Sequence, residues 1–385
     1  MTAQAPILLD VTRLIWRRWR GGLPTGVDRV CLAYLEHFGP RARAVVQRKG
    51  VNLTFSAASS RKLFAILLAG TQDCRRQMVQ FAARAALTFA TGKPPAGAVY
   101  LNVGHTGLDE PSLPAWIADH RLKAVYLVHD LIPITHPQFC RDGEDAKHLR
   151  RMTNVLASAS GIIANSQHTA SEMQALATRL AMPMPATLVA WLSGDALRRS
   201  AMPAHRGRPY FLVLGTIEGR KNHRLLLNVW RELVERMGDA APKLVIVGGR
   251  GWKAEEVTRQ LDDLGPLQGH VEENERCSDD QLARLMAGAR ALLMPSFAEG
   301  YGLPVFEALE LGTPVIAADL PVYREVVGSI PDYLSPNDVK GWSAAILDLM
   351  RDEPRRSEQM ARMSGFKAPD WRAHFAAVER WLEQI

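Results

Sequence analysis

Short apolar segments, each followed by a loop and a helical pattern, recur along most of the chain and constrain its fold more than any other feature. Strands that alternate with helices are typical of a parallel sheet covered by helices on both faces. The sequence therefore predicts an α/β protein with two doubly wound, Rossmann-like parallel sheets. The predicted strands are PILLDV, VYLNVG, AVYLVHD and GIIANS in the N-terminal half and YFLVLG, KLVIVGG, ALLMPS and PVIAAD in the C-terminal half.

The length of 385 residues also favours two domains, since single domains usually hold about 100–200 residues. A polar segment with two prolines, residues 195–209, interrupts the strand–helix rhythm and is our predicted linker. We expect an N-terminal domain over residues 1–197, a C-terminal domain over 198–365, and a final helix within 366–385 that packs back towards the N-terminal domain. Ligands of such sheets bind beyond the carboxyl ends of the strands, here in a cleft that the two domains face.

The positive charge is concentrated in the N-terminal quarter. Residues 1–98 contain 15 Lys/Arg and 4 Asp/Glu, whereas the other 287 residues contain 32 basic and 36 acidic residues. This asymmetry favours an anionic partner, which leaves nucleic acid, phospholipid head groups and a pyrophosphate-bearing substrate open, beside a merely solvated arginine-rich surface. The segment WRRWR at 16–20 mixes tryptophan with arginine, as membrane-interface segments do.

No apolar run approaches the length of a membrane span, and the N-terminus lacks the pattern of a signal peptide. We therefore expect a cytoplasmic protein that contacts the inner face of the inner membrane peripherally. The four cysteines show no zinc-ligand spacing, so we expect reduced thiols and no structural metal.

The segment PSFAEGYGLPVFEALELG, residues 295–312, carries the chemistry. Glu299 lies in the loop after a predicted strand, and Glu307 lies about one turn into a helix that begins near Pro304. The glycine amides and the first-turn N–H groups of the helix form an anion site between the two carboxylates. Carboxylates accept hydrogen bonds from sugar hydroxyls, so the arrangement predicts a nucleotide sugar as ligand.

This segment closely resembles the E-x7-E motif of retaining glycosyltransferase family 4, whose members have the GT-B fold. The resemblance extends to GTIEGRKNHRLLL and VIVGGRGW in the C-terminal half, and to GVDRV, LNVGHTGL, VYLVHDLIP and ANSQHTASEM in the N-terminal half. Residues 51–98 match nothing in that pattern. Thr216 stands where many members have an arginine, but the following RKN is kept.

The resemblance implies a donor site in the C-terminal domain and an acceptor site in the N-terminal domain. By this resemblance Glu307 binds the ribose and Glu299 the donor sugar, while the amides of residues 300–303 hold the diphosphate or sugar hydroxyls. Arg220 and Lys221 bind the diphosphate and stabilise the leaving group. Further implied contacts are Gly300, Tyr301, Gly302 and Leu303 on the donor, His129 beside the reacting sugar, Gly26 and Arg250 near the donor nucleotide, and His105 in the acceptor pocket.

Each assignment has a structural alternative. Arg220 and Lys221 could be solvated cations at a helix start, His129 a packed residue at a strand end, and Gly26 a turn glycine. Cations at a helix N-terminus oppose the helix dipole, so the basic pair requires another reason to be there.

The expected reaction is glycosyl transfer with retention, by front-face attack, from a nucleotide sugar to a lipid-linked or oligosaccharide acceptor. No cofactor is expected, and because the chain has no D-x-D triplet we expect no metal requirement. HDLIPITHP resembles mannosyltransferases of bacterial surface polysaccharides and favours GDP-mannose, with UDP-sugars left open. The alternatives are another GT-B enzyme such as an epimerase or phosphorylase, a non-catalytic nucleotide-sugar sensor, and a basic nucleic-acid-binding protein. We expect no nucleic-acid partner, since the recognisable binding motifs are absent.

Overall fold

The computed structural model describes residues 5–22, 24–71, 73–87, 91–194, 207–351 and 354–385, without the side chains of 86 and 87. The chain divides into two compact units. Unit 1 comprises 1–131, 146–192 and 371–385, and unit 2 comprises 132–145 and 193–370. This division groups the segment 132–145 with the C-terminal half, whereas the sequence-based boundaries kept residues 1–197 together. Most of the proposed linker, residues 195–206, lies outside the described residues.

Unit 1 contains a seven-stranded sheet in the order β3-β2-β1-β4-β5-β6-β7. All neighbouring strands are parallel except β2 and β3, which pair antiparallel as Val45–Thr54 through Arg48–Val51. The strands are β1 Ile7–Asp10, β2 Ala42–Arg48, β3 Val51–Thr54, β4 Val99–Asn102, β5 Lys123–Val128, β6 Ala159–Ala164 and β7 Ala186–Val189.

Unit 2 contains a six-stranded, wholly parallel sheet in the order β10-β9-β8-β11-β12-β13. In both sheets the strand order reverses next to the first strand, between β1 and β4 and between β8 and β11. Such reversal points are where α/β sheets bind ligands. The strands are β8 Tyr210–Leu214, β9 Lys243–Val247, β10 Val271–Asn274, β11 Leu292–Met294, β12 Val315–Ala318 and β13 Asp332–Leu334.

The helices connect these strands in the manner of a doubly wound fold. In unit 2, α9 and α14 bury Trp230 and Trp342 in a core that also contains Phe211 and Ile246 of the sheet. The helices are α1 Thr12–Trp19, α2 Gly26–Phe38, α3 Ala57–Ala69, α4 Cys74–Leu87, α5 Leu113–Asp119, α6 Ile132–Thr135, α7 Glu144–Ser158, α8 Gln167–Arg179, α9 His223–Met237, α10 Glu255–Asp262, α11 Asp279–Gly288, α12 Leu303–Glu310, α13 Pro321–Val327, α14 Val339–Met350, α15 Pro354–Met363 and α16 Trp371–Leu382.

The prediction of two α/β sheets is confirmed, and each of the eight predicted strands overlaps one observed strand. Five further strands lacked a clear apolar run and went unrecognised, β3 among them because it alternates exposed and buried residues at a sheet edge. Helix α1, residues 12–19, was also not identified from the sequence. Its segment TRLIWRRW carries a narrow apolar stripe interrupted by arginines.

Local sequence signals fix several element ends. Ser278 caps α11 by accepting a hydrogen bond from the Gln281 N–H at 3.3 Å. Gly312, with φ of 78°, follows the last turn of α12 in the left-handed conformation that a C-terminal glycine supplies.

Helix α16 belongs to unit 1 and packs against α2 there. The Phe375 ring stacks on His37 with centroids 4.0 Å apart, and His374 Nε2 lies 2.8 Å from the Tyr34 hydroxyl. His374 Nδ1 lies 3.0 Å from the carbonyl oxygen of Trp191. The last residues of the chain therefore complete the core of the first unit.

Residues 132–145, the segment of the N-terminal half that belongs to unit 2, pack on the loops of that unit. Phe139 stacks on Phe297 with ring centroids 5.0 Å apart, and its carbonyl accepts a hydrogen bond from the Trp252 indole at 3.1 Å. The Arg141 guanidinium lies 4.5 Å from the centre of the Trp252 ring. These contacts explain why this segment groups with the C-terminal half.

Among the described residues, none of the helices combines the length and the apolar character that crossing a bilayer requires.

Candidate active site

The loops that follow β8 and β11 meet beyond the carboxyl edge of the sheet in unit 2. Because β8 and β11 are neighbours, the loop 215–222 and the loop 295–302 lie side by side. The Phe297 N–H donates to the Arg220 carbonyl at 2.9 Å, which joins the two loops through their backbones. The sheet therefore brings together two segments that are about 80 residues apart in the sequence.

Four charged side chains from these loops form one buried ion-pair cluster. Glu299 accepts hydrogen bonds from Lys221 Nζ at 2.6 Å and from Arg220 Nη1 at 2.8 Å. Glu218 binds the other side of the Arg220 guanidinium, at 2.7 Å from Nη2 and 3.0 Å from Nε. Ser296 donates to Glu299 at 2.6 Å. The structure thus brings three predicted site residues together and adds Glu218 and Ser296, which the sequence had not assigned.

The cluster is largely shielded from solvent, and its Glu299 carboxylate is ionised. The Glu299 side chain is 7% exposed and that of Lys221 12% exposed. Burial would raise the pKa of Glu299, but the charges of Arg220 and Lys221 outweigh it and lower this pKa to about 2. Burial lowers the pKa of the Lys221 ammonium, while Glu299 counteracts that effect. Glu299 and Lys221 therefore stabilise each other's charged form.

The turn before α12 has the geometry of an anion site. Gly302 has φ of 95°, and a Cβ there would lie 2.4 Å from the Tyr323 ring, so only glycine fits. Leu303 begins α12, followed by Pro304, whose missing N–H costs nothing at this position. The turn therefore leads its amides directly into the N-terminus of α12, where negative charge is stabilised.

Glu307 lies on the buried face of α12, with only 2% of the residue exposed. Tyr301 is also buried and stacks on Phe306 with ring centroids 5.1 Å apart, while Gly300 is half-buried. The Tyr301 ring therefore contributes to the packing of the turn, and the backbone amide of Tyr301 is the group predicted to contact the donor.

Arg250 lies in the loop after β9 and is engaged in a different contact. Its guanidinium donates to Glu273 through two nitrogens at 2.8 Å and to Asp262 at 2.6 Å. These carboxylates raise the pKa of Arg250. The predicted contact with the nucleotide would compete with these ion pairs.

In unit 1, His129 and His105 lie beyond the carboxyl edges of β5 and β4. Their ring centroids are 5.0 Å apart, and the backbone N–H of His129 points at His105 Nε2 at 3.3 Å. His129 Nε2 lies 2.8 Å from the Val103 carbonyl and donates to it. Burial lowers the pKa of His129 to about 4 and that of His105 well below its usual range, so both rings are neutral at pH 7.

Asn165 supports this pair and was missed by the sequence reasoning. It follows β6, is 1% exposed, and donates its side-chain N–H to the His129 carbonyl at 2.8 Å. The segment ANSQHTASEM had been matched as a whole, but the position of Asn165 directly after a strand was the signal that could have identified it.

Gly26 is the first residue of α2, directly after the capping residue Thr25. Its amide therefore belongs to the first turn of a 13-residue helix, as the assigned contact with a phosphate requires. No group of three or more His, Cys, Asp or Glu side chains that could hold a metal ion occurs among the residues the structure describes.

Comparisons with known proteins identify the family of the chain. Residues 198–364 match the family described as glycosyl transferases group 1. Among curated relatives, O-antigen chain mannosyltransferase B of Escherichia coli is 33% identical over 258 residues, or 65% of this chain and 67% of the relative. The serotype-specific mannosyltransferase WbdA of Escherichia coli is 30% identical over 236 residues, which span 56% of this chain but 29% of that protein.

Among solved structures, Anabaena HepE in complex with UDP and glucose superposes with a TM-score of 0.62 at 16% identity. The match covers 99% of this chain and 98% of HepE, which shows a shared fold. The family match covers the domain that holds the ion-pair cluster, and the relatives extend it into the N-terminal half. The chain is therefore a glycosyltransferase of group 1 with the GT-B fold.

Proposed function

We propose that the protein transfers mannose from a nucleotide-diphosphate sugar, GDP-mannose in our preferred version, to a hydroxyl of a lipid-linked or oligosaccharide acceptor in bacterial surface-polysaccharide synthesis. The observation that carries the proposal is the cluster of Arg220, Lys221 and Glu299 beside the amide turn of α12. The names of the relatives, an O-antigen chain mannosyltransferase and a serotype-specific mannosyltransferase, support the sugar and the type of product.

In the proposed reaction Arg220 and Lys221 bind the donor diphosphate and stabilise the charge that develops as the glycosidic bond breaks. Two cations and a helix N-terminus supply this stabilisation, so the reaction needs no metal ion. Glu307 holds the ribose and Glu299 the sugar. Because these carboxylates bind the donor, a front-face attack with retention fits better than a covalent intermediate on either of them.

His129 contributes as a neutral group in this proposal. Its Nε2–H is engaged by the Val103 carbonyl, which leaves Nδ1 as an acceptor. A neutral ring beside the reacting sugar can accept a hydrogen bond from a sugar hydroxyl without adding positive charge near the developing oxocarbenium ion. Asn165 fixes the backbone of His129 through its carbonyl, and His105 lies beside it with Nε2 3.0 Å from the Leu127 carbonyl.

The decisive experiment compares nucleotides and sugars directly. Binding of GDP and UDP is measured by calorimetry, and transfer of labelled mannose from GDP-mannose is followed with a saccharide acceptor. Selective binding of GDP together with transfer supports the proposal. Selective binding of UDP with no transfer of mannose contradicts the donor, and a Glu307→Ala protein with unchanged nucleotide affinity contradicts the ribose assignment.

We also propose a cytoplasmic enzyme with peripheral contact to an anionic membrane. The basic apolar surface, defined as the exposed parts of α1, α3 and α4, supports this. It exposes Trp16, Trp19, Leu68 and Val79 by 44%, 38%, 39% and 51%, on helices rich in arginine. Arg75 lies 4.5 Å above the Trp19 ring, which links α4 to α1.

Flotation with vesicles that contain anionic lipid tests the membrane contact. We expect the protein to float with these vesicles, and we expect a Trp16→Ser/Trp19→Ser variant to float less. Trp191→Ser is the matched control, since Trp191 is 42% exposed but lies outside this surface. Equal flotation of all variants, or none with any vesicle, contradicts the membrane proposal without affecting the transferase reaction.

A further inference from the structure

The side chain of Tyr323 lies behind the turn that precedes α12. Tyr323 belongs to the first turn of α13, which follows β12, and β12 is the neighbour of β11 in the sheet. The residue is 0% exposed, and its ring edge faces Gly302, so that a Cβ on this glycine would lie 2.4 Å from the Tyr323 Cε1. The ring therefore packs against the glycine turn from the interior of unit 2, away from solvent.

The hydroxyl of Tyr323 makes no hydrogen bond of normal geometry to any residue that the structure describes. A buried hydroxyl without a partner costs free energy, and a phenylalanine would fill the same space without that cost. Burial raises the pKa of Tyr323 most, the charge of Glu299 raises it further, and both Arg220 and a weak contact with the Ser296 hydroxyl lower it. The tyrosine hydroxyl therefore lies beside the ion-pair cluster and retains its capacity to donate.

Three side chains donate to the Glu299 carboxylate in this structure. Its Oε1 accepts from Lys221 Nζ and from the Ser296 hydroxyl, both at 2.6 Å, and its Oε2 accepts from Arg220 at 2.8 Å. Two of these donors are the cations that the proposed function assigns to the donor diphosphate. A diphosphate competes with Glu299 for both cations, and only the Ser296 hydroxyl then continues to donate to the carboxylate.

Ser296 can connect the tyrosine to the carboxylate. A serine hydroxyl has one proton to donate and two lone pairs with which to accept. The Ser296 proton is already directed at Glu299, so its oxygen is the part that can accept a hydrogen bond from Tyr323. Successive hydroxyl hydrogen bonds polarise each other, so a second donor behind Ser296 strengthens the bond to the carboxylate.

We propose that Tyr323 is a positioning residue that holds Glu299, through Ser296, when a diphosphate engages Arg220 and Lys221. The tyrosine hydroxyl donates to Ser296 Oγ, and the serine proton stays on the carboxylate. Tyr323 thus acts through its neighbours and does not touch the substrate. The inference rests on the proposed function only in taking a diphosphate as the ligand of the two cations.

The test compares Tyr323→Phe with wild type, since this change removes the hydroxyl and keeps the ring against Gly302. Calorimetry with GDP and UDP measures affinity, and denaturant unfolding measures stability. For the nucleotide that wild type binds, we expect affinity to fall about tenfold or more, as loss of a hydrogen bond that supports a charged group does. We expect the free variant to be at least as stable as wild type, because the hydroxyl has no normal hydrogen bond to lose.

Tyr333→Phe is the matched control. The Tyr333 hydroxyl donates to the Gly328 carbonyl at 2.8 Å, so the same change here removes a hydrogen bond that the free protein makes. This variant should not gain stability, and its nucleotide affinity should equal that of wild type. The two tyrosines therefore differ in both measurements.

A double-mutant cycle locates the effect at the carboxylate. In a Glu299→Gln background, Tyr323→Phe should change nucleotide affinity by less than about twofold, because the group that it supports has lost its charge. Unchanged affinity in Tyr323→Phe, or an equal loss in the Glu299→Gln background, overturns the proposal, and so does binding of neither nucleotide by wild type. A wild-type protein that binds a nucleotide but transfers no mannose contradicts the proposed reaction alone, since this test measures binding without transfer.

Discussion

At the scale of single residues, the described site in unit 2 is electrically balanced. Arg220 and Lys221 face Glu218 and Glu299 in contacts of 2.6–3.0 Å. A donor diphosphate brings further negative charge, so its binding to these cations requires Glu299 to give up part of its contacts. If the diphosphate displaces Glu299 from the two cations, the Glu299 carboxylate would be well placed to accept hydrogen bonds from the sugar hydroxyls. This exchange would reconcile the observed ion pairs of Glu299 with its proposed contact to the donor sugar.

The first prediction follows from this balance. Glu299→Gln should reduce the free energy of unfolding by about 3–5 kcal/mol, because it leaves the buried Lys221 without its main counter-charge. It should also lower the pKa of Lys221 and weaken transfer. Thermal and denaturant unfolding measure the stability, and the labelled-mannose assay measures transfer.

A surface ion pair gives the control. Glu273→Gln breaks the pair with Arg250, whose side chain is 37% exposed, and should change stability by no more than about 1 kcal/mol. If both variants lose the same stability, the buried cluster is not the strongly coupled unit described here.

At the scale of elements, α12 carries the predicted donor contacts Leu303 and Glu307. It lies between two glycines, Gly302 directly before its first residue and Gly312 after its last turn. Both have positive φ, 95° at Gly302 and 78° at Gly312. They differ in their surroundings, since a Cβ at Gly302 would strike the Tyr323 ring whereas one at Gly312 would meet nothing within 4 Å. A substitution at Gly312 therefore tests backbone strain alone, whereas one at Gly302 tests backbone strain together with a steric clash.

The second prediction uses this difference. Gly312→Ala should cost about 1 kcal/mol, the ordinary cost of a left-handed alanine. Gly302→Ala should cost about 1–3 kcal/mol more, because the turn or the Tyr323 ring must also move. It should weaken nucleotide binding as well, whereas Gly312→Ala should not.

Unfolding curves and nucleotide titrations of the two variants check these differences. Equal losses at both positions would show that the Tyr323 ring yields freely and that the turn does not depend on its contact.

At the scale of the whole molecule, buried neutral histidines couple stability to pH. Burial lowers the pKa of His223 to about 3, and both of its ring nitrogens are buried without a hydrogen-bond partner among the described residues. Burial likewise lowers the pKa of His129 and His374 to about 4. Below about pH 6.5, where free histidine becomes protonated, the unfolded chain binds more protons than the folded protein, so stability falls as pH decreases.

The third prediction isolates one of these groups. Relative to wild type, His223→Leu should lose about 2 kcal/mol less stability between pH 7.5 and pH 5, because its unfolded state no longer gains that proton. Denaturant unfolding at the two pH values measures the difference. Leu227→Ile is the control, since it alters packing in the same helix without changing a titratable group. Identical pH dependence in wild type and His223→Leu would contradict the buried neutral state.

The sequence by itself determined the strand–helix alternation, the ends of α11 and α12, and the identity of the loops that carry the candidate chemistry. These features depend on local patterns, namely apolar runs, capping residues and glycines with positive φ. Only the tertiary structure determined which residues are in contact with each other. It placed Glu299 against Arg220, Asn165 against His129 and Asp28 between two arginines, and it assigned 132–145 and α16 to their units.

Those contacts join residues far apart in the chain or hidden in an unrecognised helix such as α1. Parallel strands need long crossovers, so the neighbours of a loop are set by strand order in the sheet, which no local pattern of residues encodes.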